Sequence, residues 1–328
     1  MSKPIKAPLS LALLAAIGNS PLVTAQGEGA MQLEEVLVTA RKRIESIQDV
    51  PVSVSAITAE ELARSSVRNL QDIQGYVPNL LIDKVTALPG GAAIAIRGVS
   101  YQEIDKSLDP GIGVLLDGVY LGTNSGQILE NFDMQRVEVL RGPQGTLFGK
   151  NTIGGAINVF RTAPTEEFGF KIQGTLGEHG RQDIRGLLNL PMTENGGVKL
   201  WAYNLESDGY IENTTYGDDA GGQDYQAIGG TVSYRFGDSF DLMFTYERSD
   251  DEGEVGAWAN FNKFVDEVGG PDFACVFFVP DFTGCRQFDT GSDEDHNSQN
   301  APNSADVSND YYNLTMNWEI GDWVLTSI

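Results

Sequence analysis

Two stretches of this chain alternate apolar and polar residues for long enough to dictate strands. Phe240, Leu242, Phe244 and Tyr246 alternate with Asp241, Met243, Thr245 and Glu247. Tyr312, Leu314, Met316, Trp318 and Ile320 alternate with Tyr311, Asn313, Thr315, Asn317 and Glu319. Successive side chains of a strand point to opposite faces, so each stretch carries one apolar and one polar face. Weaker alternation runs through 168–176, 184–190 and 228–236. Counted between turn residues, the region from 164 onward reads as seven strands, the last from Asp322 to Ile328.

A soluble antiparallel sheet alternates in the same way, so a secreted β-sandwich is the competing reading. Three observations favour a membrane wall. Short turns at Met192–Gly197, Gly237–Ser239 and Gly321–Asp322 fall at one end of the strands, while the long segments Asp208–Asp224 and Ser249–Asp310 fall at the other, with a short exception at Glu178–Gly180. That asymmetry is the one shown by outer-membrane β-barrels. Aromatics gather at the short-turn end, Phe236 and Phe240 beside one turn and Trp318 and Trp323 beside another, as an interfacial girdle would. The N-terminus, finally, reads as an export signal: Lys3 and Lys6, an apolar run from Leu9 to Ile17, then Val23-Thr24-Ala25, with cleavage expected after Ala25. No later run is apolar enough for a membrane helix, which needs about 20 residues. Seven strands leave two open edges, which lipid does not tolerate, so the sequence is expected to hold only the first part of a larger barrel.

Asp and Glu exceed Lys and Arg by 46 − 22 = 24, which argues against a nucleic-acid partner. Between Ser249 and Asp310 the only cations are Lys263 and Arg286, and this acidic segment holds both cysteines, Cys275 and Cys285. In an exported chain the pair favours a disulfide over a metal site, and closing so short a loop is worth about 3 kcal/mol. We expect that disulfide to hold Phe277, Phe278 and Phe282 at a pore mouth.

Residues 34 to about 163 follow a different pattern, that of a small α+β unit. Val52 and Val54 alternate with Ser53 and Ser55; Thr58 and Glu61 make a capping box for a helix through Leu62; Leu70 and Ile73 suggest a second helix ending at Pro78. Strand-like runs follow at 80–82, 92–96, 113–116, 136–140 and 155–160, separated by Pro89-Gly90-Gly91, Asp109-Pro110-Gly111, Asp117-Gly118 and Gly142-Pro143.

Several motifs in this unit are recognisable. Glu34-Glu35-Val36-Leu37-Val38-Thr39-Ala40 resembles the TonB box of TonB-dependent outer-membrane receptors. Ile96-Arg97-Gly98, Leu116-Asp117-Gly118-Val119, the run Val137 to Gly149 and Gly154-Gly155-Ala156-Ile157-Asn158-Val159 resemble that family's plug domain. The resemblance spans Glu34 to Ile328 and implies a division into signal peptide (1–25), TonB box and linker (26–44), plug (45–163) and the first strands of the barrel (164–328), which in the family has about 22 strands around the plug. It implies an outer-membrane receptor, not an enzyme. Ligand binds between outer loops and plug, and the TonB complex, with its inner-membrane ExbB/ExbD motor, pulls on the plug through the box.

The box residues Glu35, Val36, Leu37, Val38, Thr39 and Ala40 suit that role. They favour extended structure between small or charged flanks, and an extended segment tied to nothing can add a strand to a partner's sheet edge. An ordinary first strand of the plug is the alternative. The resemblance assigns Arg97, Glu138 and Arg141 to contacts between plug and barrel wall, which we read as seating pairs rather than switches. It points to the outward connections of the plug for ligand contact, with Tyr101, Gln102, Tyr120, Thr123 and Asn124 as candidates. A ferric siderophore is the leading cargo, with vitamin B12 and oligosaccharides as alternatives. About eight residues separate the expected cleavage site from the box, too few for the periplasmic signalling domain of some members. The run Gly145 to Asn151 is not a phosphate loop: it is one residue short between its glycines and lacks the Ser or Thr that binds magnesium. With His179 and His296 as the only histidines, no catalytic set, cofactor or metal site is expected. A passive porin needs neither box nor plug; a binding-only or inactive remnant is the other competing reading.

Overall fold

The computed structural model describes residues 36–65, 67–85, 90–101, 109–213, 219–253, 296–297 and 306–328. In the first half of these, β1 (Leu37–Val38) and β2 (Glu45–Ser46) pair as a short antiparallel hairpin. Strand β3 (Val54–Thr58) runs into helix α1 (Ala59–Arg64), started by the expected capping box: the Thr58 hydroxyl accepts from the Glu61 N–H and the Glu61 carboxylate from the Thr58 N–H. The second expected helix is instead a 3-10 turn, Leu70–Gly75, capped by the Asn69 side chain. It still delivers Leu70 and Ile73 to the core.

The remaining plug strands are β4 (Leu80–Lys84), β5 (Ala92–Ile96), β6 (Val99–Tyr101), β7 (Ile112–Leu116), β8 (Val119–Tyr120), β9 (Met134–Arg141) and β10 (Gly155–Arg161), with the helical turn α2 (Gly145–Phe148) between the last two. Five strands form one sheet in the order β3-β9-β10-β7-β8, with β10 and β7 parallel; β4, β5 and β6 form a second, antiparallel one. The motifs Arg97-Gly98 and Asp117-Gly118 are both two-residue hairpin turns, with φ of 53° and 79° in the first and 48° and 86° in the second. Positive φ at both central positions is the demand of a type I′ turn, which fixes Gly at the second. Gly155 is required for another reason, since a Cβ there would lie 2.3 Å from the Leu140 carbonyl oxygen.

The second half is one antiparallel sheet of seven long strands. These are β11 (Gly169–Leu176), β12 (Gln182–Thr193), β13 (Gly196–Ser207), β16 (Gln223–Phe236), β17 (Phe240–Asp251), β19 (Val307–Ile320) and β20 (Trp323–Ser327). Short strands β14 (Ile211–Asn213), β15 (Asp219–Ala220) and β18 (His296–Asn297) pair with one another within the long connections. The seven-strand count agrees with the sequence pattern, although most strands run further than the alternation does. The faces sort as expected: Ile228, Phe244, Tyr312 and Leu314 are exposed, whereas their neighbours Thr231, Thr245 and Asn313 are buried. At the short-turn end Phe236 and Phe240 lie 5.8 Å apart between ring centroids, and Phe240 is paired in register with Trp318. No helix among the described residues is long and apolar enough to cross a membrane, which leaves crossing by strands open.

Candidate functional site

The segment that resembles a TonB box is held against the plug, contrary to the expectation of an extended segment tied to nothing. Val38 and Ala40 are buried beside Val50 and Leu140. The Thr39 N–H donates to Glu138 Oε1 at 2.9 Å and its hydroxyl to the same oxygen at 3.1 Å, while Arg136 Nε donates to Glu138 at 2.8 Å. Glu138 sits fully buried in the middle of β9, so its charge is neutralised by one guanidinium and bonded by one box residue. Arg41 and Arg43 close on Glu45 at 2.5 and 2.6 Å and hold its carboxyl below the usual range. The flanking charges pair with the hairpin itself, while the burial of Val38 and Ala40 and the Thr39 bonds to Glu138 hold the segment to the plug. Leu37 remains half exposed on the hairpin's outer side, and Glu35 lies outside the described residues.

Of the three charges assigned to the wall, Glu138 has its partners inside the plug. Arg97 is exposed in its turn, and its N–H donates to the Asn79 carbonyl; Arg141 has its N–H on the Ser53 carbonyl and a buried Nε without a partner. None of the three makes a hydrogen bond or ion pair with the described wall strands.

Other residues join plug to wall. Lys199 of β13, fully buried, reaches Asp133 at 2.5 Å and also bonds Thr162. Arg185 of β12 pairs with Glu130 at 2.8 Å. Arg161, at the end of β10, bridges Asp117 at 3.2 Å and Glu247 of β17 at 2.8 Å, over the faces of Trp201 and Tyr311. Burial opposes the Arg161 charge, and the carboxylates of Glu247 and Asp117 more than offset it, so its pKa is raised. Burial also pushes the Asp133 carboxyl upward, against the pull of Lys199 and Thr162. Asn313 Nδ2 and the Tyr311 hydroxyl donate to the carbonyls of Asp117 and Leu116. A lysine in the otherwise apolar run Val198 to Tyr203 was the sequence signal for such a partner; its acid lies 66 positions away, beyond any local pattern.

Above these contacts lies a cavity of about 780 Å³ between plug and wall. Lys84, Thr123, Asp251 and Asn309 bound it at the long-connection end, and Leu116, Glu130, Arg185, Glu247 and Tyr311 at the other. Among the ligand candidates, Tyr120 and Thr123 line it; Asn151 donates to the Tyr120 hydroxyl at 3.2 Å and Thr123 bonds the Ser125 carbonyl. Asn124 gives its carbonyl to the Ala92 N–H and borders a smaller hollow. Tyr101 is described by its backbone alone, and Gln102, Cys275 and Cys285 lie outside the described residues. No cluster of metal-ligating side chains occurs among the described residues.

Comparison with known proteins agrees with this architecture. Residues 46–156 match the TonB-dependent receptor plug domain. The chain is 32% identical over 222 residues to the pesticin receptor of Yersinia pestis, an alignment that covers 66% of this chain and 31% of the relative. It is 25% identical over 181 residues to a vitamin B12 transporter of Vibrio vulnificus, covering 54% of this chain and 28% of the relative. The solved ferric yersiniabactin uptake receptor of Yersinia pestis superposes with a TM-score of 0.66 at 22% identity, covering 84% of this chain and 39% of that one. The chain thus spans about a third of the length of the curated relatives it matches.

Proposed function

Because the chain belongs to the TonB-dependent outer-membrane receptors, we propose that it serves energised uptake of a scarce, bulky ligand, a ferric siderophore before any other. In this reading the proton-motive force arrives through TonB and ExbB/ExbD, and Glu35 to Ala40 is the segment that TonB engages. What carries the reading is one arrangement: a plug domain bonded by buried charges to the polar inner face of a sheet whose outer face is apolar. A passive porin has no use for such a plug. Strand addition to TonB requires the segment to give up its bonds to Glu138 and its pairing with β2, so docked and engaged forms exclude each other.

The 780 Å³ cavity, walled by Tyr120, Thr123 and Tyr311 among others, has the size and mixed polarity of a small-ligand site and is our candidate for first contact. The yersiniabactin and pesticin receptors among the similar proteins support iron chelates, and the vitamin B12 transporter supports the alternative cargo. The deciding experiment is growth of a receptor deletion strain under iron limitation with single siderophores supplied. Loss of growth on one of them, restored by the gene, is the expected result. Unaltered growth on every siderophore tried, with lost growth on limiting vitamin B12, would move the assignment to that ligand.

A further inference from the structure

Five inward-facing residues of the wall lie on a single hydrogen-bonding row. Asn189 is in register with Lys199, Lys199 with Thr231, Thr231 with Thr245, and Thr245 with Asn313, so the row crosses β12, β13, β16, β17 and β19. All five are polar and all five are buried. A polar residue withdrawn from water needs a bonded partner, and five in succession need a surface built to supply them.

The plug and its last connection supply most of it. Asn189 binds the Thr165 backbone through both ends of its amide, at 2.9 and 3.0 Å; Lys199 binds Asp133 and Thr162; Asn313 binds the Asp117 carbonyl at 3.1 Å. Thr231 and Thr245 bond each other at 2.9 Å. Two residues further along each strand toward the long connections, the Arg161–Glu247 pair and the Tyr311 bond to Leu116 repeat the pattern, and Glu247 and Tyr311 form the inner boundary of the 780 Å³ cavity.

We propose that this row is a static seal between plug and wall that closes the inner end of the cavity, so that ligand passes on another side of the plug. The inference rests on the reading of the chain as a plugged transporter. Its logic is energetic. A buried pair is costly to break one partner at a time, because the survivor is left charged and unsatisfied. A path that opened here would have to break the Lys199–Asp133 pair and the Asn189 and Asn313 bonds in every cycle, whereas a path elsewhere leaves them intact.

Two experiments on the receptor expressed from its complete gene decide the matter. Lys199→Met keeps the side-chain length and strands Asp133. It should raise passive entry of a bulky hydrophilic antibiotic on the order of a hundredfold, the factor that breaking a buried pair is worth, with receptor level in the outer membrane and ligand affinity unchanged. The exchange Asp133→Lys with Lys199→Asp should restore most of the tightness. A Lys199→Met receptor as tight as the wild type overturns the seal. The second experiment leaves the row intact: Ser233→Cys places a thiol on the inner face of β16, two residues toward the short turn. It should stay unlabelled by a polymer-tagged maleimide added outside the cell during uptake, beyond the background of the parent. Labelling that rises with uptake shows the row parting and overturns the proposal, even if every Lys199 variant fails to insert. The leak is read without ligand or energy, so it stands or fails separately from energised transport.

Discussion

In the plug, Leu70, Ile82 and Val137 are withdrawn from the surface and charge lies mostly outside; in the wall, Leu314, Phe244 and Ile228 are on the surface while Lys199, Asn313 and Thr245 are withdrawn. The two regions draw on the same amino acids, and the difference lies in what each faces. Water surrounds a soluble core and drives apolar groups inward. Lipid makes no such demand, so the wall's apolar groups face outward and its polar groups turn to the plug. The plug–wall contact is therefore rich in bonds that must be matched one by one, set beside an apolar cluster of Phe132 from the plug with Trp201, Tyr203 and Ala227 from the wall, where a core would be held by area throughout.

The contrast can be broken most directly by one substitution made in two places. Leu70→Ala should cost the plug about 2–5 kcal/mol by cavity formation, and Leu314→Ala, with no packed cavity to leave, about 0.5 kcal/mol or less. Denaturation of the receptor in lipid vesicles, followed by protease protection of plug and wall separately, checks it; equal losses would erase the distinction. Next in size, Leu314→Arg should destabilise the wall by about 2–4 kcal/mol if that face meets the bilayer interior. Asn317→Arg, on the opposite face of the same strand, should cost clearly less, and a reversed order would turn the sheet inside out.

Smaller effects sharpen the account of the box segment. Glu138→Gln weakens charge-assisted bonds to Arg136 and Thr39 worth about 1–3 kcal/mol, so trypsin should cut at Arg41, Lys42 or Arg43 faster than in the parent. An unchanged rate would mean that the hairpin does not depend on Glu138. The smallest effect concerns Glu45, whose carboxyl is held below its ordinary 4.5 by Arg41 and Arg43. A lowered acid stabilises the folded form above its ordinary value and loses that stabilisation as pH falls through the lowered one. Protection of the same sites should then be full at neutral pH and decline only in the acid range, and Glu45→Gln should abolish the dependence.

Much of this was readable in the residues themselves. Seven strands, their two faces and the aromatic end follow from alternation, because a strand's period is set by its own backbone. The Thr58–Glu61 box and the Asp117-Gly118 turn are equally local. Local pattern failed where the answer lay across the chain. Leu70 to Gly75 has the spacing of a helix, but so short a run between Asn69 and Pro78 tightens into a 3-10 turn. The box segment looked unattached because its partner, Glu138, is 99 positions distant. Arg161 and Glu247 are 86 apart, and nothing near either one marks the other. Conspicuous motif arginines, Arg97 and Arg141, drew attention instead.

The central claim is that Glu35 to Ala40 couples uptake to an energy source. Leu37→Pro tests it most directly: the position is half exposed, the substitution removes a backbone donor and fixes φ near about −65°, and Val38 and Ala40 keep their places in the plug. The variant receptor should reach the outer membrane and bind ligand as the wild type does, yet lose energy-dependent uptake, while Leu37→Ala retains most of it because main-chain bonds dominate strand addition. Wild-type accumulation of ligand by the proline variant, or by a strain lacking TonB, would contradict the account.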